Sequence, residues 1–319
     1  MALIHKIMSV TVLLLLAWMS VGIVMYRTSS NKLNDVFEES TELFRIPLSP
    51  SEEIEACRAN NRKLSPNFWK KVNLRKEKIP EEINEMMSAM VVQSDFIEVE
   101  DCDIHILYAK PASSNRSISV LLLHGQSYNS ETWNTLGTLR NLAAFGYYTV
   151  AVDLPGFGRS AAINDLDRGQ FLTEVITALD LKKPVIVSPS MSGAFSLKYL
   201  LNNSDKMAGF VPVAPVSMSI IDDSPCSIDD DDVLQDEDCQ RIMHYLKKKP
   251  RLNCIKVPSL IVWGERDRGT NSAKLCQLPN GQGAEIPEGK HSAYLSNPNL
   301  WHKLLYNFLN IVDETFACR

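Results

Sequence analysis

No cysteine of this chain stands in a C-x-x-C pair. The seven are Cys57, Cys102, Cys226, Cys239, Cys254, Cys276 and Cys318, so zinc-ribbon and thioredoxin-type readings fail. The odd count leaves one thiol over in a monomer, and disulfides would require an oxidising compartment. An excess of one charge is also missing. With 33 Lys and Arg against 38 Asp and Glu, the formal net charge is -5, which gives no footprint for nucleic acid as a partner. The acidic run Asp229-Asp230-Asp231-Asp232 and the cluster Asp236-Glu237-Asp238 lack the alternating ligands and turn glycine of a calcium loop. They are expected to form a solvated loop. No metal or cofactor is implied.

Charge is also absent from Ile7 to Tyr26. A membrane helix needs about 20 apolar residues, and this run meets that length. A secretory signal peptide is the rival, but its apolar core is shorter, roughly 7–15 residues, and here the run continues past Ser20 and Gly22. The expectation is an uncleaved signal anchor over 1–26 that attaches the chain to a membrane. A polar stalk over 27–85 and a catalytic domain over 86–319 follow, with the acidic insert at about 216–256.

From Met86 onward the pattern is regular. Residues 94–100 and 104–109 alternate around Asp101-Cys102-Asp103, a hairpin signal. Ser119-Val120-Leu121-Leu122-Leu123 is a continuous apolar run, as in a strand buried on both faces of a parallel sheet. Further strands are expected at Tyr148–Val152, Pro184–Ser188, Gly209–Pro215, within Pro258–Gly264 and near Ala284–Pro287. Helices are expected over Trp133–Phe145 and Gly169–Asp180, after the turn at Ser190, and from Asn297-Pro298 to the C-terminus. Alternating strands and helices argue for a mostly parallel, doubly wound sheet with helices on both faces.

One stretch organises the rest, Val185-Ile186-Val187-Ser188-Pro189-Ser190-Met191-Ser192-Gly193. A β-branched run breaks at Pro189-Ser190 and a helical pattern begins. A serine at the apex of a sharp strand-to-helix turn is how an α/β-hydrolase presents its nucleophile, normally spelled G-x-S-x-G. Both glycines are serines here, Ser188 and Ser192. Serine is the next smallest polar residue, so the turn can survive. A serine nucleophile needs a base and a group that orients it. The order expected on this fold is serine, acid, histidine. Of the histidines after Ser190, His244 precedes any candidate acid, and His302 falls within the last helix, on its polar surface. His291 follows the last strand in a loop and is the candidate base. Asp267 is the candidate acid, with Glu265 as fallback, both just beyond the strand ending at Trp263. The backbone N–H groups of Met191 and Gln126 are the candidate oxyanion donors. His124 is too early in the order to be the base and is assigned to holding its loop.

The stretches Leu123-His124-Gly125-Gln126, Asp153-Leu154-Pro155-Gly156-Phe157-Gly158, Ser188-Pro189-Ser190-Met191-Ser192-Gly193, Val262-Trp263-Gly264 with Asp267, and His291 resemble the α/β-hydrolase superfamily. The Ser-Pro-Ser-x-Ser-Gly elbow with the N-terminal apolar segment is most similar to the membrane-anchored branch of the α/β-hydrolase domain-containing 14 group. The resemblance implies an α/β-hydrolase fold. It also implies a serine hydrolase or acyltransferase that works through an acyl-enzyme on a small-molecule or acylated substrate, an ester, thioester or amide. Ser190, Asp267 and His291 take the roles of nucleophile, acid and base. The competing reading is a catalytically weak pseudo-hydrolase that binds proteins at a membrane, motivated by the non-glycine elbow. The topology expected is single-pass type II with a lumenal or extracellular domain; a domain facing the cytoplasm is the alternative. Asn115-Arg116-Ser117 and Asn202-Asn203-Ser204 are acceptor sequons that fit the first arrangement.

Overall fold

The strands assemble in the order β1-β2-β4-β3-β5-β6-β7-β8. Strand β1 (Val92–Val99) pairs antiparallel with β2 (Cys102–Ala109), and β2 pairs antiparallel with β4 (Tyr148–Val152). The remaining pairs, among β3 (Ser119–Leu122), β4, β5 (Val185–Pro189), β6 (Gly209–Val213), β7 (Ser259–Gly264) and β8 (Gly281–Ile286), are all parallel. This is a computed structural model, and it describes residues 66–112, 116–226 and 235–316. The chain divides into units Met1–Ala56 and Cys57–Arg319, and the described residues belong to the second. The expected anchor over 1–26, Asn115 and the run Asp229–Asp232 lie outside the described residues. Among the described residues no helix is long and apolar enough to cross a membrane.

The continuous apolar strands are buried on both sides because alternate side chains serve two cores. Val185 and Val187 of β5 point into one cluster and Ile186 into the other; Val120 and Leu122 of β3 face one, Leu121 the other. Ten helices cover the two faces among the described residues. They are α1 (Pro66–Trp69), α2 (Glu81–Ala89), α3 (Glu131–Thr135), α4 (Thr138–Ala144), α5 (Arg168–Ala178), α6 (Gly193–Asn203), α7 (Glu237–Ile242), α8 (Ser272–Leu275), α9 (Ala293–Ser296) and α10 (Pro298–Phe316). Phe171, Leu172 and Val175 of α5 and Leu197 of α6 fill one core; Leu139 and Leu142 of α4 and Trp301, Leu304, Leu305 and Phe308 of α10 fill the other. Asn297 starts α10 as read, its Oδ1 accepting from the Leu300 N–H at 3.0 Å, with Pro298 at the first helical position.

Several expectations change. The helix expected over 133–145 is two, α3 and α4, because Gly137 takes a left-handed φ of 80° between them, a geometry glycine adopts without a Cβ clash. The stretch assigned to a stalk is partly core: Trp69 and Leu74 are buried among the α10 and β-strand side chains. The acidic insert is not simply solvated. Asp236 caps α7 through the Cys239 N–H, and its other oxygen accepts from the Gly283 N–H of β8. Asp238 accepts from the Glu285 N–H two residues on. The two carboxylates thus occupy alternate donors of an edge strand that would otherwise be open for pairing. Disulfides Cys226–Cys254 and Cys239–Cys276 fasten the insert, and Cys102 is free.

Candidate active site

Ser190 sits directly after β5, with a φ of 50°. A non-glycine residue there is strained, and the cost is of order 1–3 kcal/mol. The elbow is held on every side. The Ser190 carbonyl accepts from the Val216 N–H at 3.0 Å, and a Cβ on Gly193 would lie 2.7 Å from the Val216 carbonyl oxygen, so the loop after β6 closes against the start of α6. The serines that replace the motif glycines are buried and satisfied. The Ser192 hydroxyl donates to the Pro189 carbonyl at 2.8 Å, and Ser188 Oγ lies 3.0 Å from Ser192 Oγ and 2.6 Å from Ser196 Oγ. One direction of donation, Ser196 to Ser188 to Ser192 to Pro189, uses each proton once.

Ser190 Oγ is 2.8 Å from His291 Nε2, and His291 Nδ1 is 3.0 Å from Asp267 Oδ2. A carboxylate only accepts, so Nδ1 carries the proton and Nε2 is free to take one from Ser190. The three residues share no element. Ser190 follows β5 directly, Asp267 closes the single helical turn after β7, and His291 lies in the loop between β8 and α9. All three gather at the carboxyl edge of the sheet, where open α/β sheets hold ligands.

Glu265 takes a different part from Asp267. Its Oε2 accepts from the Glu288 N–H at 2.8 Å, and the Arg266 N–H donates to the Gly289 carbonyl at 2.8 Å. Both bonds join the acid loop to the base loop. The contact is close enough that a Cβ on Gly264 would lie 2.3 Å from the carbonyl oxygens of both Gly289 and Lys290. Gly264→Ala should therefore push the two loops apart, destabilise the fold by about 3 kcal/mol and depress activity. A urea titration and an ester assay on the same preparation measure both; an unchanged midpoint would contradict the packing described.

The hydrogen bond that His291 donates to Asp267 raises the histidine pKa above its ordinary value, against the opposing effect of desolvation. The base must be neutral to accept a proton, so kcat/KM is lost as the pH falls through that raised pKa, above the ordinary histidine value of about 6.5. Asp267→Asn removes the cause, and its residual activity should show the limb moved to lower pH. A pH–rate profile of both proteins tests this; an unmoved limb would contradict it. The site is open: the His291 side chain is 45% exposed and that of Asp267 29%.

The loop after β3 lies against the nucleophile, where a Cβ on Gly125 would be 3.6 Å from Ser190 Cβ. His124 fixes that loop. The Leu154 N–H donates to its Nε2 at 2.9 Å, so its Nδ1 holds the proton and donates to the Gly125 carbonyl at 2.9 Å. The Tyr128 N–H also donates to that carbonyl. Carbonyl and N–H of one trans peptide point apart, so holding the Gly125 oxygen turns the Gln126 N–H the other way. Burial lowers the His124 pKa and keeps it neutral for this task. His302 corrects an expectation. It is buried rather than on the polar surface of α10, with Nε2 3.0 Å from Thr138 Oγ1, and burial lowers its pKa to about 4. Two further groups carry no motif: the Val216 N–H, which acts through the backbone, and the Tyr128 hydroxyl, which accepts from Ser292 Oγ beside the base. Backbone donors leave no residue-type signal.

The family model for the alpha/beta hydrolase family matches residues 120–238. The chain is 38% identical over 232 residues to the human protein named putative protein-lysine deacylase ABHD14B, covering 70% of this chain and 98% of that one. It is 33% identical over 207 residues to human protein ABHD14A, covering 63% of this chain and 67% of that one. Among solved structures, a CIB-like hydrolase from Thermoplasma acidophilum matches with a TM-score of 0.53 at 21% identity, over 69% of this chain and 98% of that one.

Proposed function

The chain belongs to the α/β-hydrolase family, among its ABHD14 members, and from that premise we propose that it is a serine hydrolase or acyltransferase working through an acyl-enzyme. The observation that carries the proposal is the continuous relay Ser190–His291–Asp267, with hydrogen-bond distances of 2.8 and 3.0 Å. Ser190 Oγ attacks the acyl carbon as His291 Nε2 takes its proton. The imidazolium then returns the proton to the leaving group, and Asp267 stabilises the charge while it lasts. The Met191 and Gln126 N–H groups receive the oxyanion, and such a donor contributes about 2.7–4 kcal/mol to the transition state. Water or another acceptor completes the cycle on the same base. Catalysis by this route requires no metal or cofactor.

An ester, thioester or amide fits this chemistry. The deacylase named above, similar over 98% of its length, adds acylated lysine to the candidate substrates. The exposed base suits an acyl group carried on a large molecule. The hydrogen-bonded serines at the elbow and the short Ser190–His291–Asp267 distances support the enzymatic reading over a protein-binding scaffold. Purified chain offered p-nitrophenyl acyl esters of two to eight carbons, and acyl-lysine peptides alongside, should turn over at least one class. No turnover of either would contradict the proposal.

The chain is further proposed to be anchored by Ile7–Tyr26 as a single-pass type II protein with its catalytic domain lumenal or extracellular. Two disulfides among the described residues suit an oxidising compartment, and Asn202 is exposed near the end of α6. Expression in a eukaryotic cell should give a band that shifts on glycan removal, and Asn202→Gln should shrink the shift. A bare chain with all thiols reactive would place the domain in the cytosol.

A further inference from the structure

A second serine–histidine–carboxylate relay lies outside this site, at the β1 edge of the sheet. Ser94 is exposed on β1, and its Oγ is 2.9 Å from His105 Nε2. His105 is buried on β2, and its Nδ1 is 2.8 Å from Asp153 Oδ2. These separations match those of Ser190–His291–Asp267. Asp153 is firmly fixed. Its Oδ1 accepts from the Ser130 N–H at 2.6 Å and its Oδ2 from the Arg159 N–H at 2.9 Å. A Cβ on Gly158 would lie 2.2 Å from Oδ2, so the turn through Gly158 closes directly on the carboxylate. Burial opposes the charge of Asp153, but these donors outweigh it and hold the carboxyl below its ordinary pKa. An ionised Asp153 sets the proton on His105 Nδ1 and leaves Nε2 to accept from the Ser94 hydroxyl.

Arg159 completes the arrangement. Its Nη1 donates to Ser94 Oγ at 3.1 Å and lies 3.1 Å from His105 Nε2. The guanidinium carbon is 5.0 Å from the centre of the Phe96 ring, which is 42% exposed and 5.2 Å from the His105 ring. A nucleophile, a base, an orienting carboxylate, a fixed cation and an apolar surface therefore meet at a solvent-facing serine.

We propose that Ser94 is a second, slower nucleophile that accepts acyl groups from carboxylic esters with apolar acyl chains. The Ser94 Oγ–carbon bond forms as the ester C–O bond breaks. The hydroxyl proton passes to His105 Nε2 and from there to the departing alcohol. Water then releases the carboxylic acid with the same base and restores Ser94. Arg159 stabilises the tetrahedral oxyanion in place of a pair of backbone donors. It also competes for the Nε2 lone pair and opposes the charge of the imidazolium, which makes this serine slower than Ser190. The acyl chain lies along Phe96.

The test uses full-length Ser190→Ala treated with an alkyl fluorophosphonate, with adducts mapped by peptide mass spectrometry. Ser88, exposed on α2, serves as the internal reference for an unassisted serine. Ser94 should be labelled at least about 100-fold faster than Ser88, the low side of what a positioned base supplies. Ser94→Ala in the same background should lower the residual ester turnover to what the oxyanion donors of the first site supply without a nucleophile. Labelling of Ser94 no faster than of Ser88, or residual turnover unaffected by Ser94→Ala, would overturn the proposal. Labelling of Ser190 in the unmodified chain is read separately, so failure of one site is distinct from failure of the other.

Discussion

Ser190→Ala should lower kcat for an ester by on the order of 10⁴–10⁶ while leaving the melting temperature unchanged or higher. The loss is large because nucleophile, base and acid act as a unit, and removing the nucleophile strands the other two. Stability is not expected to fall. Ser190 has a left-handed φ, which alanine tolerates no worse, and the hydroxyl lost bonds only to the half-exposed His291. A Ser190→Ala protein that keeps more than about a tenth of its turnover, a loss far below that expected of a triad member, would remove Ser190 from the mechanism.

The second large effect belongs to the acid. Asp267→Asn should cost on the order of 10⁴ in turnover, because an amide can donate to Nδ1 and so favours the wrong tautomer of the base. Glu265→Gln should cost little. Its role is to accept from the Glu288 N–H, and the amide oxygen of glutamine accepts equally. The two variants, assayed side by side at a pH above the His291 limb, separate the roles. The reverse ranking would assign the acid to Glu265. Sequence order alone left these two carboxylates in competition, since both follow β7 within three residues; only the turn after Gly264 decides which one faces His291.

That comparison shows where a sequence stops being informative. The alternating and continuous apolar runs determine the sheet, because side-chain period follows directly from strand geometry, and the strand sequence in turn carries Ser190, Asp267 and His291 to one edge. The elbow was legible despite its spelling, since what matters is a small residue on each side of the serine. That its hydroxyls form a chain through Ser196 was not, because Ser196 looks like any other helical serine. His302 was misplaced because the helical stripe locates a face but does not show that α4 brings Thr138 to meet it. The insert was misjudged for the same reason. Asp236 and Asp238 look solvated as members of a charge run, yet each finds a backbone donor on β8, a partner more than forty residues away along the chain. Trp69 and Leu74 read as stalk because a short helix and a turn carry little periodicity.

The Ser190–His291–Asp267 relay makes Ser190 the principal nucleophile. The most direct measurement treats the unmodified full-length chain with a limiting alkyl fluorophosphonate and follows ester turnover and peptide adducts together. Turnover should fall in proportion to the adduct on the Ser190 peptide and reach, at one equivalent, only the slow residual rate assigned to Ser94. Turnover that keeps more than about a tenth of its starting rate after full modification of Ser190, or that disappears while Ser190 remains unmodified, would contradict it.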